Sequence, residues 1–367
     1  MKKVIIAPDS FKGTLSSVEV CRTVSAVLRK KYGDIEITQI PVADGGEGTV
    51  EAFLYSLGGE KVYCKVKSPL GRDISAYYAI LPDGTAVIEM AQASGLCIEK
   101  RNSVMKASTF GTGQLILDAL DRNCRKIIIG IGGSATTDGG TGALSALGVK
   151  FLDENGKEVT SGGEGLSDIH KIDLGSLDER IRDCEIKVLC DVKNQLYGKK
   201  GAACVFAPQK GANEREVAIL DNGLRNLAMM TENVLGKDCS SCEGAGAAGG
   251  LGFGLVAFLS AKLERGTDCV LETAAFAEKV KEADLVITGE GKMDSQSLMG
   301  KVPFGVANLS GGKRVTAIVG VCDIDREVAA KNGINEIIET NGEHMPFDEI
   351  KHRAEEMLIS AAEKIWL

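Results

Sequence analysis

The sequence predicts an α/β protein, a doubly wound parallel sheet interrupted by an inserted second domain of mixed α/β type. Both chain ends alternate short apolar runs with helical repeats, the pattern of parallel β-α units. The middle instead carries hairpin-like segments separated by turn residues. At 367 residues, the chain is about two domains long by a prior of roughly 150 residues each.

At the amino end, Val4 to Ala7 reads as a strand, and Pro8-Asp9-Ser10-Phe11-Lys12-Gly13 as the loop behind it. Ser16 with Glu19 forms a capping box, opening a helix whose apolar face holds Val20, Val24, Val27 and Leu28. Ile35 to Ile40 is the second strand, and Ala43-Asp44-Gly45-Gly46-Glu47-Gly48-Thr49 leads into a second helix. The carboxyl end repeats this grammar, with strands at Leu285–Thr288, Val315–Val319 and Glu336–Ile338. A closing helix carries Ile350, Ala354, Met357, Leu358, Ala361 and Ile365. Five strands split between the two ends imply one flavodoxin-like sheet, residues 1–62 with 268–367, around an inserted domain at 63–267. In that insert, Val62–Val66 and Ile74–Ile80 flank Ser68-Pro69-Leu70-Gly71 as an antiparallel hairpin. Leu81-Pro82-Asp83-Gly84-Thr85 is a further turn, with proline presetting φ and glycine taking the positive value. Ala86–Met90, Ile127–Ile131, Ile186–Cys190 and Ala203–Ala207 read as further strands, and about 251–263 as a helix.

Composition narrows the function. A net charge of −8 argues against nucleic acid, whose phosphates demand concentrated Lys and Arg. No apolar run approaches the roughly 18 residues of a membrane span, and the amino terminus reads as a strand, not a signal peptide. The eleven cysteines read as free thiols of a cytoplasmic protein. Cys239 and Cys242 form a lone CxxC, read as a surface accident because no second pair stands near. Glycine is in excess, 45 of 367 residues, and it is clustered in loops.

Those loops fall where an open parallel sheet binds ligands, beyond the carboxyl ends of its strands. Asp9, Ser10, Lys12 and Gly13 follow the first strand, and Asp44, Gly45, Gly46 and Glu47 the second. Glu290, Asp294, Gln296 and Lys301 follow the third. In the insert, Gly130 to Ala135 fits GxGxxA after a strand, which keeps a dinucleotide site open. Against it, the loop runs on through Thr136-Thr137-Asp138-Gly139-Gly140, and no acid stands at the expected strand end. Gly244 to Gly249 lacks a preceding strand and reads as an anion-cradling turn before a helix, or as tight helix packing. Walker A and GxSxG motifs are absent, and His170, His344 and His352 show no triad logic. Carboxylates, lysines and backbone amides remain, an inventory suited to phosphoryl transfer with Mg²⁺.

These motifs resemble the bacterial two-domain glycerate kinases over nearly the whole chain. The resemblance is carried by Ala7 to Gly13, Ala43 to Thr49, Gly130 to Gly140, Cys190-Asp191-Val192, Pro208-Gln209-Lys210-Gly211, Gly244 to Gly250 and Thr288 to Gly291. It implies ATP- and Mg²⁺-dependent phosphorylation of D-glycerate, usually to 2-phosphoglycerate. The chain departs from the family pattern at Gln195, where proline is usual, and at Ala207, where glycine is usual.

On this reading Lys12 holds a phosphate or the glycerate carboxylate, and Asp44 and Asp191 hold Mg²⁺ or accept the hydroxyl proton. Asp9, Ser10, Gly13, Gly45, Gly46, Glu47, Ser134, Asp138, Gly246, Glu290 and Asp294 line the substrates. Arg72, Lys210 and Lys301 are reserve cations. The two-body design places the reaction in the cleft between the domains, and a homodimer stays open. So do two alternatives: a kinase for another small sugar acid, and a non-catalytic small-acid sensor on the same scaffold.

Overall fold

The computed structural model describes residues 1–99, 103–295, 297–341 and 345–367. Gln296 and His344, both weighed above, lie outside the described residues. In chain order the strands are β1 (Lys2–Pro8), β2 (Ile35–Gln39), β3 (Glu60–Lys67), β4 (Asp73–Ile80), β5 (Ala86–Glu89), β6 (Lys126–Gly130), β7 (Lys150–Leu152), β8 (Lys171–Asp173), β9 (Glu185–Leu189), β10 (Lys262–Glu264), β11 (Leu285–Met293), β12 (Arg314–Cys322) and β13 (Glu336–Glu339). The chain divides into two compact units. One comprises 1–44, 51–58 and 266–367, the other 45–50 and 59–265.

The first unit is built on a sheet of order β13-β12-β11-β1-β2, with every pair parallel. Numbered along the chain, that order is 2-1-3-4-5, the flavodoxin-like arrangement expected from the split repeats. Val4 through Pro8 are all buried, as in a central strand covered on both faces. The helix Ser17–Tyr32 begins at the Ser16–Glu19 capping box and buries Val20, Cys21, Val24 and Leu28. It packs against the closing helix Phe347–Ala362, whose Met357, Leu358, Ala361 and Ala362 are buried. Val20, Cys21, Val24, Leu28, Leu358, Ala361 and Ala362 join Val4, Ile6, Leu285, Ile287 and Ile318 in one core.

The second unit carries a sheet of order β10-β9-β6-β5-β4-β3. β10, β9, β6 and β5 run parallel, and β4 and β3 continue antiparallel as the expected hairpin, with Val62 opposite Tyr78. Two local expectations are corrected. Ala203–Ala207 is not a strand, because Ala202–Phe206 forms a short helix after Gly201. A five-residue apolar run carries no periodicity able to separate the two states. The helix expected to reach about 263 ends at Leu259, Ser260 turns left-handed, and Lys262–Glu264 pairs with β9 as an edge strand. The pairing partner lies about 75 residues back in the chain, so no local pattern announces it.

Candidate active site

In a sheet of this order ligands bind where the strand sequence reverses, here between β1 and β11. Pro8 ends the register opposite Gly289, and the Asp9 N–H donates to the Gly289 carbonyl at 2.8 Å. Asp9 and Glu290 thus stand on neighbouring chain segments at the switch point. Glu290 was expected in a loop after the strand, but β11 continues to Met293 and holds it in the sheet. Its pairing with Val319 of β12 supplies the extra length.

The electrostatics of this edge are unusual. Lys12 Nζ meets Asp44 Oδ2 at 2.9 Å, with the lysine exposed and the carboxylate half-buried. Asp9 is buried and accepts the Ser10 N–H at Oδ1, 2.6 Å. Burial first, and then the Asp44 charge, push the Asp9 carboxyl well above its ordinary range, with Lys12 pulling the other way. Burial likewise pushes Glu290 up to about 7, against a hydrogen bond from Ser297 and the Lys301 and Lys12 charges. Glu290 is only 4% exposed, and its Oε1 has no hydrogen-bond partner among the described residues. Asp294 is half-buried and its N–H donates to Ser297 Oγ at 3.1 Å. Lys301 precedes the helix Val302–Leu309 as its cap residue. Gly13 backs onto the Phe347 ring.

In the second unit the loops gather at the carboxyl ends of β6 and β9. Gly45 takes φ +87°, and a Cβ there would lie 2.8 Å from the Leu189 carbonyl oxygen. Gly130 would place its Cβ 2.5 Å from the Gly45 oxygen, and the Gly132 N–H donates to that same oxygen at 2.9 Å. The GxGxxA glycines therefore let another backbone segment pass, an alternative to cradling a pyrophosphate. Lys210 is buried, and its Nζ donates to Ser134 Oγ at 2.7 Å and to the Thr136 carbonyl at 2.6 Å. Burial pushes its ammonium down to about 7, with Asp138 opposing. Asp138 is fully buried. Its oxygens accept the Thr109 N–H and Oγ1–H at 2.7 and 2.8 Å and the Gly140 and Gly142 N–H groups at 3.1 and 3.2 Å. Asp138 thereby clasps two loops.

The remaining candidates are dispersed. Arg72 is forked onto Glu99, at 2.6 Å for its shorter contact. Glu47 and Asp191 are exposed. Gly246 packs so closely that a Cβ would lie 2.2 Å from the Gln195 carbonyl oxygen, and its N–H donates to the Asn194 carbonyl at 2.8 Å. Cys239, half of the pair read as a surface accident, is buried, and among the described residues no cysteine is in a disulfide. Sequence reasoning missed Glu89, a buried carboxylate at the end of β5 that accepts the Val50 N–H at 2.7 Å. Its apolar neighbours Ile88 and Met90 were the available signal. A surface pocket lined by Lys3, Glu36, Thr38, Lys279 and Glu282 lies at the amino ends of β1 and β2, away from the carboxylates described above.

The family model described as the glycerate kinase family matches residues 4–367. The chain belongs to the glycerate kinase family. Similar proteins include a glycerate kinase of Halalkalibacterium halodurans, 45% identical over 371 residues, covering 100% of this chain and 97% of the relative. A glycerate 2-kinase of Escherichia coli K12 is 46% identical over 341 residues, covering 91% and 89%. A solved crystal structure from Salmonella typhimurium LT2, assigned as a glycerate kinase 2, matches with a TM-score of 0.87 at 40% identity, covering 99% of this chain and 96% of that one. Membership makes the chain a kinase and implies ATP as its co-substrate. Among the described residues no helix is long and apolar enough to cross a membrane.

Proposed function

We propose that this chain transfers the γ-phosphoryl group of ATP to D-glycerate, giving 2-phosphoglycerate, with Mg²⁺ as the assisting ion. The observation that supports this most is the coincidence of the family match along residues 4–367 with a carboxylate and lysine cluster at the sheet's switch point. The name of the Escherichia coli relative, a glycerate 2-kinase, supports the 2-position.

Among the described residues no three His, Cys, Asp or Glu side chains are grouped to hold a metal ion. Mg²⁺ commonly takes one or two carboxylates together with substrate phosphates, so a full protein cage is not required. The crowding of Asp9 by Asp44, relieved only in part by Lys12, suits an added cation. On this reading Asp44 and Asp191 hold Mg²⁺, which neutralises charge on the phosphates. Lys12 binds an anionic group of a substrate, and Ser10 with Lys301 flanks it.

Incubation with ATP, Mg²⁺ and D-glycerate should release ADP, with 2-phosphoglycerate in the ³¹P spectrum. Turnover with a different hydroxy acid but none with D-glycerate overturns the substrate, and the 3-isomer overturns the regiochemistry. Absence of turnover with every small acid favours the sensor reading.

A further inference from the structure

The free carboxylate oxygen of Glu290 is the feature that the metal and anion roles leave unused. Glu290 sits on β11 at the β1/β11 switch point, where a ligand of a flavodoxin-like sheet is expected. It is 4% exposed, and Oε1 lacks any partner among the described residues. A buried acceptor left unmatched costs about 1–3 kcal/mol, so a fold that keeps one commonly has a use for it. Charges and dipoles face this carboxylate from several elements: Asp9 and Lys12 from the loop after β1, Asp294 beyond β11, and Ser297 with Lys301 before the helix Val302–Leu309. Ser297 bonds the carboxyl and steadies it, leaving Oε1 for an incoming donor.

We propose that Glu290 is the catalytic residue that takes the proton from the acceptor hydroxyl, an inference that rests on the kinase reading above. The hydroxyl of the acid donates to Oε1. As its oxygen bonds to the γ-phosphorus, the bond from that phosphorus to the β,γ-bridging oxygen breaks and ADP leaves. The hydroxyl proton passes to Glu290 and then to solvent. A base suited to this task is a carboxyl whose affinity for protons is raised toward neutrality by burial, and burial moves Glu290 that way. Asp44, half-buried and paired with Lys12, is better matched to the ion.

Glu290→Gln tests this. Glutamine keeps an acceptor oxygen but takes no proton, so kcat should fall by about 10²-fold or more, with the KM for D-glycerate within threefold of wild type. Wild-type kcat in the variant overturns the inference, as does a raised KM with kcat intact, which would make Glu290 a binding group only. Should Glu290→Gln fail to fold, Glu290→Asp withdraws the carboxylate by one methylene, and an unchanged kcat there overturns it equally. A wild-type protein inert toward D-glycerate sinks the functional reading instead, so the two failures are distinguishable.

Discussion

Replacing Lys210 with methionine tests how a buried amine is held in the second unit. Methionine keeps the length of the side chain and removes its charge and donors. Burial lowers the Lys210 ammonium to about 7, against about 10.4 in an unfolded chain. The sign follows from linkage: above pH 7 the unfolded chain holds more protons than the folded one, so stability rises with pH until both are neutral. From the two pKa values, the destabilisation from this one group is about 4 kcal/mol at pH 7.5 and about 1.5 at pH 9.5. Lys210→Met removes that dependence and leaves the Thr136 carbonyl without this donor, at about 1–3 kcal/mol. The variant should therefore exceed wild type by about 1–3 kcal/mol at pH 7.5 and lose about 2.5 kcal/mol relative to it by pH 9.5. Denaturant unfolding followed by circular dichroism at three pH values, under reducing conditions, reads this difference directly. Comparing the two proteins cancels the thiols, which titrate in both. A gap that stays constant within about 0.5 kcal/mol from pH 7.5 to 9.5 refutes the reasoning.

Asp191→Asn keeps its side-chain shape while removing a charge. If Asp191 holds the ion, turnover should fall by about 10²-fold or more at saturating substrates, with the melting temperature unchanged because the side chain is exposed. Lys12→Ala should raise the KM for ATP or D-glycerate, and wild-type kinetics in both variants would remove these two residues from the site. Glu290→Gln should be more stable than wild type at pH 8 by up to about 3 kcal/mol. The folded carboxyl, raised to about 7, contributes stability below the unfolded pKa and loses it as pH rises through 7, so melting curves of the two should converge near pH 4. Gly249→Ala should lower the melting temperature by several degrees. Gly249 has φ +66° and a Cβ there would stand 2.0 Å from the Thr136 carbonyl oxygen, a backbone clash costing about 2 kcal/mol or more.

The split flavodoxin-like sheet was legible because its signals are local. Apolar runs at Val4, Leu285 and Val315, the Ser16–Glu19 box and the spacing of Met357, Leu358 and Ala361 each speak for their own element. Much of the candidate site was legible only as residue types. Lys210 reads only as a reserve cation until its bonds to Ser134 and the Thr136 carbonyl show it held in the 134–136 loop. Gly130 and Gly132 read as a phosphate cradle until the 45–46 backbone is seen passing across them. Glycine answers both needs with the same absence of a Cβ, and sequence alone does not separate them.

By itself the sequence determined the five strands of the split flavodoxin-like sheet, the family and the residue types of the candidate chemistry, because periodicity, caps and long motifs are properties of neighbouring residues. Only the tertiary structure decided which carboxylate is buried with a free oxygen, which lysine is sealed from water, and which glycines serve packing. Those properties arise between segments far apart in the chain. Asp9 and Glu290 lie some 280 residues apart, and only the parallel pairing of β1 with β11 brings them to one edge. Burial then acts on each charge through the surroundings that pairing creates, and so sets which groups take up protons near neutral pH.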